Sequence, residues 1–263
     1  MSQVPSSPFG RMVRKSNAII MAKWQPDSIW EPRIVALVAS KVVDSDEDFL
    51  VYRIPVAELL GKSGARLSVE KYKEIVKSIE GLRKATVRIS GDTPYNFRQY
   101  NIFAMCGYEN DCLVAQFHPD LKPHFLKISS QFTAYKLFEF LALPSIYSQR
   151  LYELLHVWSS RTSVELPLTE MHRLLSTPQF MRDNFKDFRV RVIEKSRKDI
   201  KEKTGFDFDW EPVKQGRAVV AVRFFFKQGL KGEKTHATGE AQHTSVNQDI
   251  AAVEKADCPQ RVS

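Results

Sequence analysis

The sequence predicts an α+β fold in which one unit is used twice, and three observations carry that prediction. The order helix, strand, short helix, long helix, hairpin runs once between residues 32 and 118 and again between 135 and 226. In both copies a strand leads into Pro-x-x-Glu, as Ile54-Pro55-Val56-Ala57-Glu58-Leu59 and Leu166-Pro167-Leu168-Thr169-Glu170-Met171. The net charge of +8 is also shared: residues 1–127 hold 18 Lys+Arg against 14 Asp+Glu, residues 128–226 hold 16 against 12, and residues 227–263 hold 5 against 5. Two modestly basic halves suit a polyanion that touches both, although solubility alone accounts for such an excess.

Taken in order, residues 1–27 contain three prolines and no sustained periodicity, and read as an arm with a short ordered stretch around Val13 to Met21. The first unit spans 28–130. Residues 32–43 give an apolar helix, 49–54 a strand, 55–61 a short helix, 67–85 a longer one, and 86–90, 97–105 and 112–118 strands. The second unit spans 131–226, with a helix within 135–159 interrupted near Pro144, a strand at 163–166, helices at 167–176 and 184–203, and a hairpin from Phe206 to Phe226. Each Pro-x-x-Glu places proline at the first helical position, where its missing N–H costs nothing, and glutamate in the first turn, where the helix dipole favours it. Residues 227–263 have almost no large apolar side chains and are expected to be disordered.

This order of elements is that of a winged helix, so the sequence predicts tandem duplicated winged-helix domains. In that architecture the second helix of a helix-turn-helix enters the major groove of DNA. In residues 184–203, Phe185, Phe188, Val192, Ser196 and Ile200 share one face, with Ile193 beside it. Lys186, Arg191, Glu194, Lys195, Lys198 and Lys201 fall on the opposite face and flanks, while helical spacing puts Arg189 at the core-side edge, from which it must snorkel outward. Nine basic and five acidic residues lie between Arg182 and Lys203. Arginine reads guanine, glutamate accepts from cytosine, and lysine serves phosphates. A solvated amphipathic helix would look the same in isolation, and it is the surrounding order of elements that favours base recognition. Lys214 and Arg217, at the Lys214-Gln215-Gly216-Arg217 turn, either ride the phosphates as a wing or decorate a solvated turn. The first unit offers Lys71, Lys73, Lys77 and Lys84 outside a buried stripe of Tyr72, Ile75, Val76, Ile79 and Leu82; lysine without arginine on that face points to phosphate contacts.

Four motifs resemble those of the iteron-binding plasmid replication initiators, a family with two winged-helix domains. They are Arg14-Lys15-Ser16-Asn17, the run from Leu143 to Leu155, Phe185-Lys186-Asp187-Phe188-Arg189-Val190-Arg191-Val192, and Lys214-Gln215-Gly216-Arg217. The resemblance implies binding to repeated double-stranded DNA sites at an origin, local opening of the duplex and recruitment of a host initiator and the replicative helicase. It also implies a homodimer in equilibrium with monomer, with dimer contacts in the first domain and repression of the protein's own gene. Within the helix of residues 145–159, Ile146, Leu151, Leu154, Leu155 and Trp158 read as core, and Tyr147, Arg150 and Tyr152 as packing around it.

Other chemistries lack their residues. No histidines are paired at metal-ligand spacing beside a tyrosine nucleophile, no Gly-x-x-x-x-Gly-Lys-Ser/Thr loop is present, and Cys106, Cys112 and Cys258 form no zinc pattern. Asp44-Ser45-Asp46-Glu47-Asp48 reads as a solvated turn rather than a cation loop, and Asp207 with Asp209 lack the further carboxylates of a two-metal site. The expectation is a non-enzymatic, cytoplasmic DNA-binding protein without metal, cofactor or membrane contact. A transcription regulator with no replication role, and a winged-helix scaffold that binds no DNA, remain as alternatives.

Overall fold

The short runs of β-branched and aromatic residues in each half become small antiparallel sheets, and the amphipathic helices bury one face against them. The computed structural model describes residues 10–60, 68–90 and 95–227. Residues 228–263, nearly all of the tail expected to be disordered, lie outside the described residues.

The chain opens with strand β1 (Met12–Ser16) and the one-turn helix α1 (Asn17–Ile20), where the Ser16 hydroxyl caps by accepting the Ile19 N–H at 3.3 Å. Helix α2 (Trp30–Ala39) is buried along its whole length, the charged Glu31 and Arg33 included. Strand β2 (Tyr52–Pro55), a 3-10 turn (Val56–Leu60) and α3 (Val69–Leu82) follow. Ile75, Ile79 and Leu82 bury the inner face of α3 at helical spacing. Next come β3 (Thr86–Ser90), β4 (Phe97–Asn101), β5 (Phe103–Glu109), β6 (Cys112–Phe117) and the short helix α4 (Lys122–Phe125).

The remainder comprises β7 (Phe132–Lys136), α5 (Leu137–Ala142), α6 (Ile146–His156), β8 (Ser163–Pro167), α7 (Leu168–Leu174), α8 (Gln179–Asp183) and α9 (Phe185–Phe188). A π-helical turn (Arg189–Glu194), α10 (Lys195–Thr204), β9 (Phe208–Gln215) and β10 (Ala218–Phe226) complete it.

The duplication is plain in the topology. One sheet runs β2-β6-β5 and the other β8-β10-β9, so in each the first strand pairs with the last and the last with the middle. The stretch 97–105, expected as one strand, breaks at Ile102. Its N–H donates to the Ala85 carbonyl at 3.1 Å and its carbonyl accepts from the His118 N–H at 3.1 Å, so the chain leaves the β3–β4 ribbon there and enters the sheet. The ribbon is therefore an insertion between the long helix and the hairpin of the first unit. The two prolines also sit one position earlier than expected: Pro55 and Pro167 end their strands, opposite Cys112 and Ala221, rather than opening helices. A strand end at a sheet edge tolerates the missing N–H as readily as a first helical turn does.

Strand β1 pairs antiparallel with β7, from Met12↔Lys136 to Ser16↔Phe132, and carries Lys15 into the interior, where it joins two buried charges of α6. Buried Lys15 donates to Glu153 at 2.6 Å, Arg150 donates to the other Glu153 oxygen at 2.9 Å, and the Tyr135 hydroxyl donates to Glu153 at 2.5 Å. Burial alone would raise the Glu153 pKa, but the Lys15 ammonium and Arg150 guanidinium outweigh it and hold the carboxyl below its usual range. The segment after α1 is fastened at every carbonyl. Ile20 and Ala22 accept from Arg150 (3.0 and 3.2 Å), Met21 from Arg173 (3.2 Å), Lys23 from the Arg88 N–H (2.9 Å), and Trp24 from Ser176 (3.3 Å). Those donors lie on α6, β3 and the end of α7, so residues 20–24 strap the two units together. Buried apolar side chains from Val13 to Phe226 form one continuous cluster beneath the strap.

Candidate nucleic-acid interface

The mixed-charge helix of the second unit is built on an apolar underside. Phe188, Val192, Ile193, Ser196 and Ile200 are fully buried, Phe185 is half-buried, and α10 packs on α5 and α6. Gly205, at φ +75°, stops the helix with its N–H on the Lys201 carbonyl at 3.1 Å.

Regular α-helical spacing over 184–203 does not hold through the middle. Residues 189–194 are π-helical, and hydrogen bonds from i to i+5 widen the turn by one residue. The wider turn turns both Val192 and Ile193 inward. It also places residues five apart over one another, so Arg189 Nε lies 3.4 Å from Glu194 with 42% of the arginine side chain exposed. Arg189 thus belongs to the outer charged surface rather than to the core-side edge.

Lys186, Arg191, Glu194, Lys195 and Lys198 are all exposed. Arg191 Nε sits 3.3 Å from Asp187, and its guanidinium lies 5.8 Å from the Phe180 ring centroid. Lys198 approaches Glu202 at 3.9 Å, whereas Lys186 and Lys195 have no acidic partner among the described residues.

The hairpin β9–β10 turns at Gly216-Arg217. Gly216 has φ +60°, a left-handed conformation that a tight hairpin assigns to glycine. Lys214 and Arg217 are exposed at this tip without an ion-pair partner among the described residues. Its base is tied to α10: Arg197 donates to the Phe208 carbonyl at 2.6 Å and pairs with Asp209, and Lys201 and Lys227 reach Asp207 at 2.9 and 3.1 Å. Hydrogen bonding to Lys201 and Lys227 holds Asp207 below the usual carboxylate range. These aspartates therefore set the angle of the hairpin against the helix, and among the described residues no cluster of potential metal ligands exists.

In the first unit Lys71, Lys73 and Lys77 are exposed on α3 and Lys84 just past its end, again without acidic partners among the described residues. The hairpin that corresponds to β9–β10 is β5–β6, a correspondence that periodicity alone did not reveal. It turns at Asn110-Asp111, both left-handed at φ 47° and 61°, with Glu109 paired to Arg53 at 2.8 Å and the Tyr108 hydroxyl donating to Asp111 at 2.6 Å. An Asn-Asp pair between alternating runs is a readable hairpin signal. Asp44 to Asp48 form a turn in which Asp46 accepts the Val43 N–H at 3.0 Å and Asp48 pairs with Lys122 at 2.9 Å. Sequence reasoning also passed over α8 and its exposed Phe180.

The motif residues Lys15, Ser16 and Asn17 serve the fold. Lys15 meets Glu153, the Ser16 hydroxyl contacts His124 Nδ1 at 2.8 Å, and Asn17 accepts from the Thr133 hydroxyl at 2.8 Å. Arg150 is buried with them, as its packing role requires.

Comparison with known proteins also finds two parts, the first of which runs past residue 130 to the end of α6. Residues 12–156 match the family described as "Initiator Replication protein, WH1", and residues 167–226 match "Initiator Rep protein, WH2". No curated protein sequence matches the chain. Among solved structures it is similar to "Crystal structure of Pi initiator protein in complex with iteron DNA", with a TM-score of 0.64 and 19% identity, over 84% of this chain and 99% of that one. At that identity the likeness speaks to the fold.

Proposed function

Because this chain belongs to the initiator replication protein family, we propose that it starts plasmid replication by binding repeated double-stranded DNA sites, iterons, at the origin. The observation that carries this reading is the pairing of an exposed Arg/Glu/Lys helix face with a basic hairpin tip in the second winged helix, strapped to a first winged helix whose long helix exposes only lysines among its cations. Arg189, Arg191 and Glu194 read base edges, Lys186, Lys195 and Lys198 flank them on phosphates, and Lys214 and Arg217 follow the backbone as a wing. Lys71, Lys73 and Lys77 hold the first winged helix on phosphates. Binding promotes local opening of the duplex and recruits the host initiator and the replicative helicase. A dimer joined through the first winged helix, in equilibrium with monomer, represses the protein's own gene. The protein acts in the cytoplasm by binding, without catalytic chemistry; among the described residues no helix is long and apolar enough to cross a membrane.

The test supplies the protein in trans to a plasmid carrying the DNA that flanks its coding region, with and without the direct repeats that the reading expects there. Replication that depends on both protein and repeats, with a footprint longer than one winged helix covers, is the expected result. A footprint without replication would make the chain a transcription regulator, and the lack of any salt-dependent DNA affinity would make it a scaffold.

A further inference from the structure

The turn that feeds the recognition helix carries a half-exposed aromatic ring. Helix α8 is anchored by Met181, which is buried, while the ring of Phe180 one position earlier is 51% exposed. Only Asn184 separates α8 from α9, so Phe180 stands beside the start of the helix that faces DNA. Single exposed apolar side chains are ordinary on protein surfaces. Here two of them flank one arginine. Val190, 45% exposed, precedes Arg191 in the π-helical turn, and the Arg191 guanidinium lies 5.8 Å from the Phe180 ring centroid. Asp187 engages Arg191 through Nε, which leaves the two terminal nitrogens for a base edge.

That arrangement has a chemical counterpart in the major groove. Guanine offers O6 and N7 to an arginine fork, and thymine alone presents a methyl group, which apolar side chains contact. We propose that Phe180 is a specificity-determining residue whose ring reads the 5-methyl group of a thymine next to the base contacted by Arg191. The proposal rests on the reading of the second winged helix as the base-recognition domain. It adds an apolar reader to a largely charged surface, and it places that reader on α8 rather than on the recognition helix.

The experiment uses the full chain and, as probe, the tightest-binding duplex that the wild type recovers from a random-sequence pool. Each thymine is replaced in turn by deoxyuridine, which removes only the methyl group. The wild type is expected to lose about fourfold in affinity at one position, the equivalent of burying one methyl group. Phe180→Ala should lose a similar factor on the unmodified duplex and no more when that thymine is replaced. Phe180→Leu, which keeps an apolar side chain, should retain part of the methyl sensitivity, and unchanged thermal melting of both variants shows that the fold is intact. If Phe180→Ala kept wild-type sensitivity at every thymine, the proposal would be overturned. It would also be overturned if the variant lost discrimination at a guanine, probed with 7-deazaguanine, while methyl sensitivity stayed, because the ring would then only prop Arg191. Failure of the wild type to recover any preferred duplex would instead remove the base-recognition reading beneath the proposal.

Discussion

In the first winged helix the hairpin tip is Asn110-Asp111 with Glu109 beside it; in the second it is Gly216-Arg217 with Lys214 beside it. The long helix of the first exposes lysines and glutamates without arginine, whereas that of the second exposes arginine alongside both. Both units use the same strand order, so the difference lies in what each turns outward. A carboxylate-bearing tip is repelled by a phosphate backbone and a cationic one is drawn to it. On the function proposed above, the duplication has kept a scaffold and divided its work: one copy would position, the other read and clamp.

That contrast requires the two copies to be held in one relation, and the buried charges at β1 and α6 are where it breaks most easily. Glu153→Ala leaves Lys15 and Arg150 without their shared carboxylate and should destabilise the protein by about 3–5 kcal/mol, measured by urea unfolding. Stability of that size lost from one carboxylate would mark the joint as integral, and a change below about 1 kcal/mol would show that water replaces it.

Acid should weaken the same region. The His124 imidazole, tied to Ser16 at the end of β1, is pushed down to about 4 by burial. Between its ordinary value near 6.5 and about 4 the unfolded chain takes up a proton that the folded chain refuses. Its contribution is therefore complete above pH 6.5 and falls by up to about 3 kcal/mol as the pH drops to about 4. The depressed Glu153 carboxyl adds a loss below its ordinary value of 4.5, in the same direction. Urea titrations at pH 7, 5.5 and 4.5 check this, and His124→Gln should flatten the slope between the first two.

The sequence made the elements legible where local chemistry decides them. The alternation in β8 and β10, the apolar stripe from Phe188 to Ile200 and the glycine turn at 216 are properties of neighbouring residues. The joint is different. Lys15 meets Glu153 across 138 positions, and Arg150 binds the carbonyls of Ile20 and Ala22 across 130 and 128. No periodicity announces a carbonyl acceptor. The π-helical turn was hidden for a related reason: burying both Val192 and Ile193 is a tertiary demand that overrides regular spacing, and it is what moved Arg189 outward. Of the candidate site, residue types and exposure were readable, while the opposed charge of the two hairpin tips needed the strand pairing.

Three variants sharpen the contrast between reader and positioner. Arg191→Ala should lose about 1–3 kcal/mol on the preferred duplex and little on random DNA, read as the ratio of the two dissociation constants. At the hairpin tips the expected effect is smaller. Changing Lys214 and Arg217 to Ala should flatten the slope of log affinity against log salt by up to about two units. Changing Glu109 and Asp111 to Ala should leave that slope where it was, and a steeper slope would place the first tip against phosphates.

The division itself is tested most directly by one salt titration, run on wild type, Arg191→Ala and the double variant Lys73→Ala, Lys77→Ala, each on the preferred duplex and a scrambled one. The lysine variant should flatten the salt slope by up to about two units and weaken binding to both duplexes alike. Arg191→Ala should concentrate its loss on the preferred duplex. A lysine variant that lost specificity while keeping its salt slope would contradict the account and make the first winged helix a reader of bases.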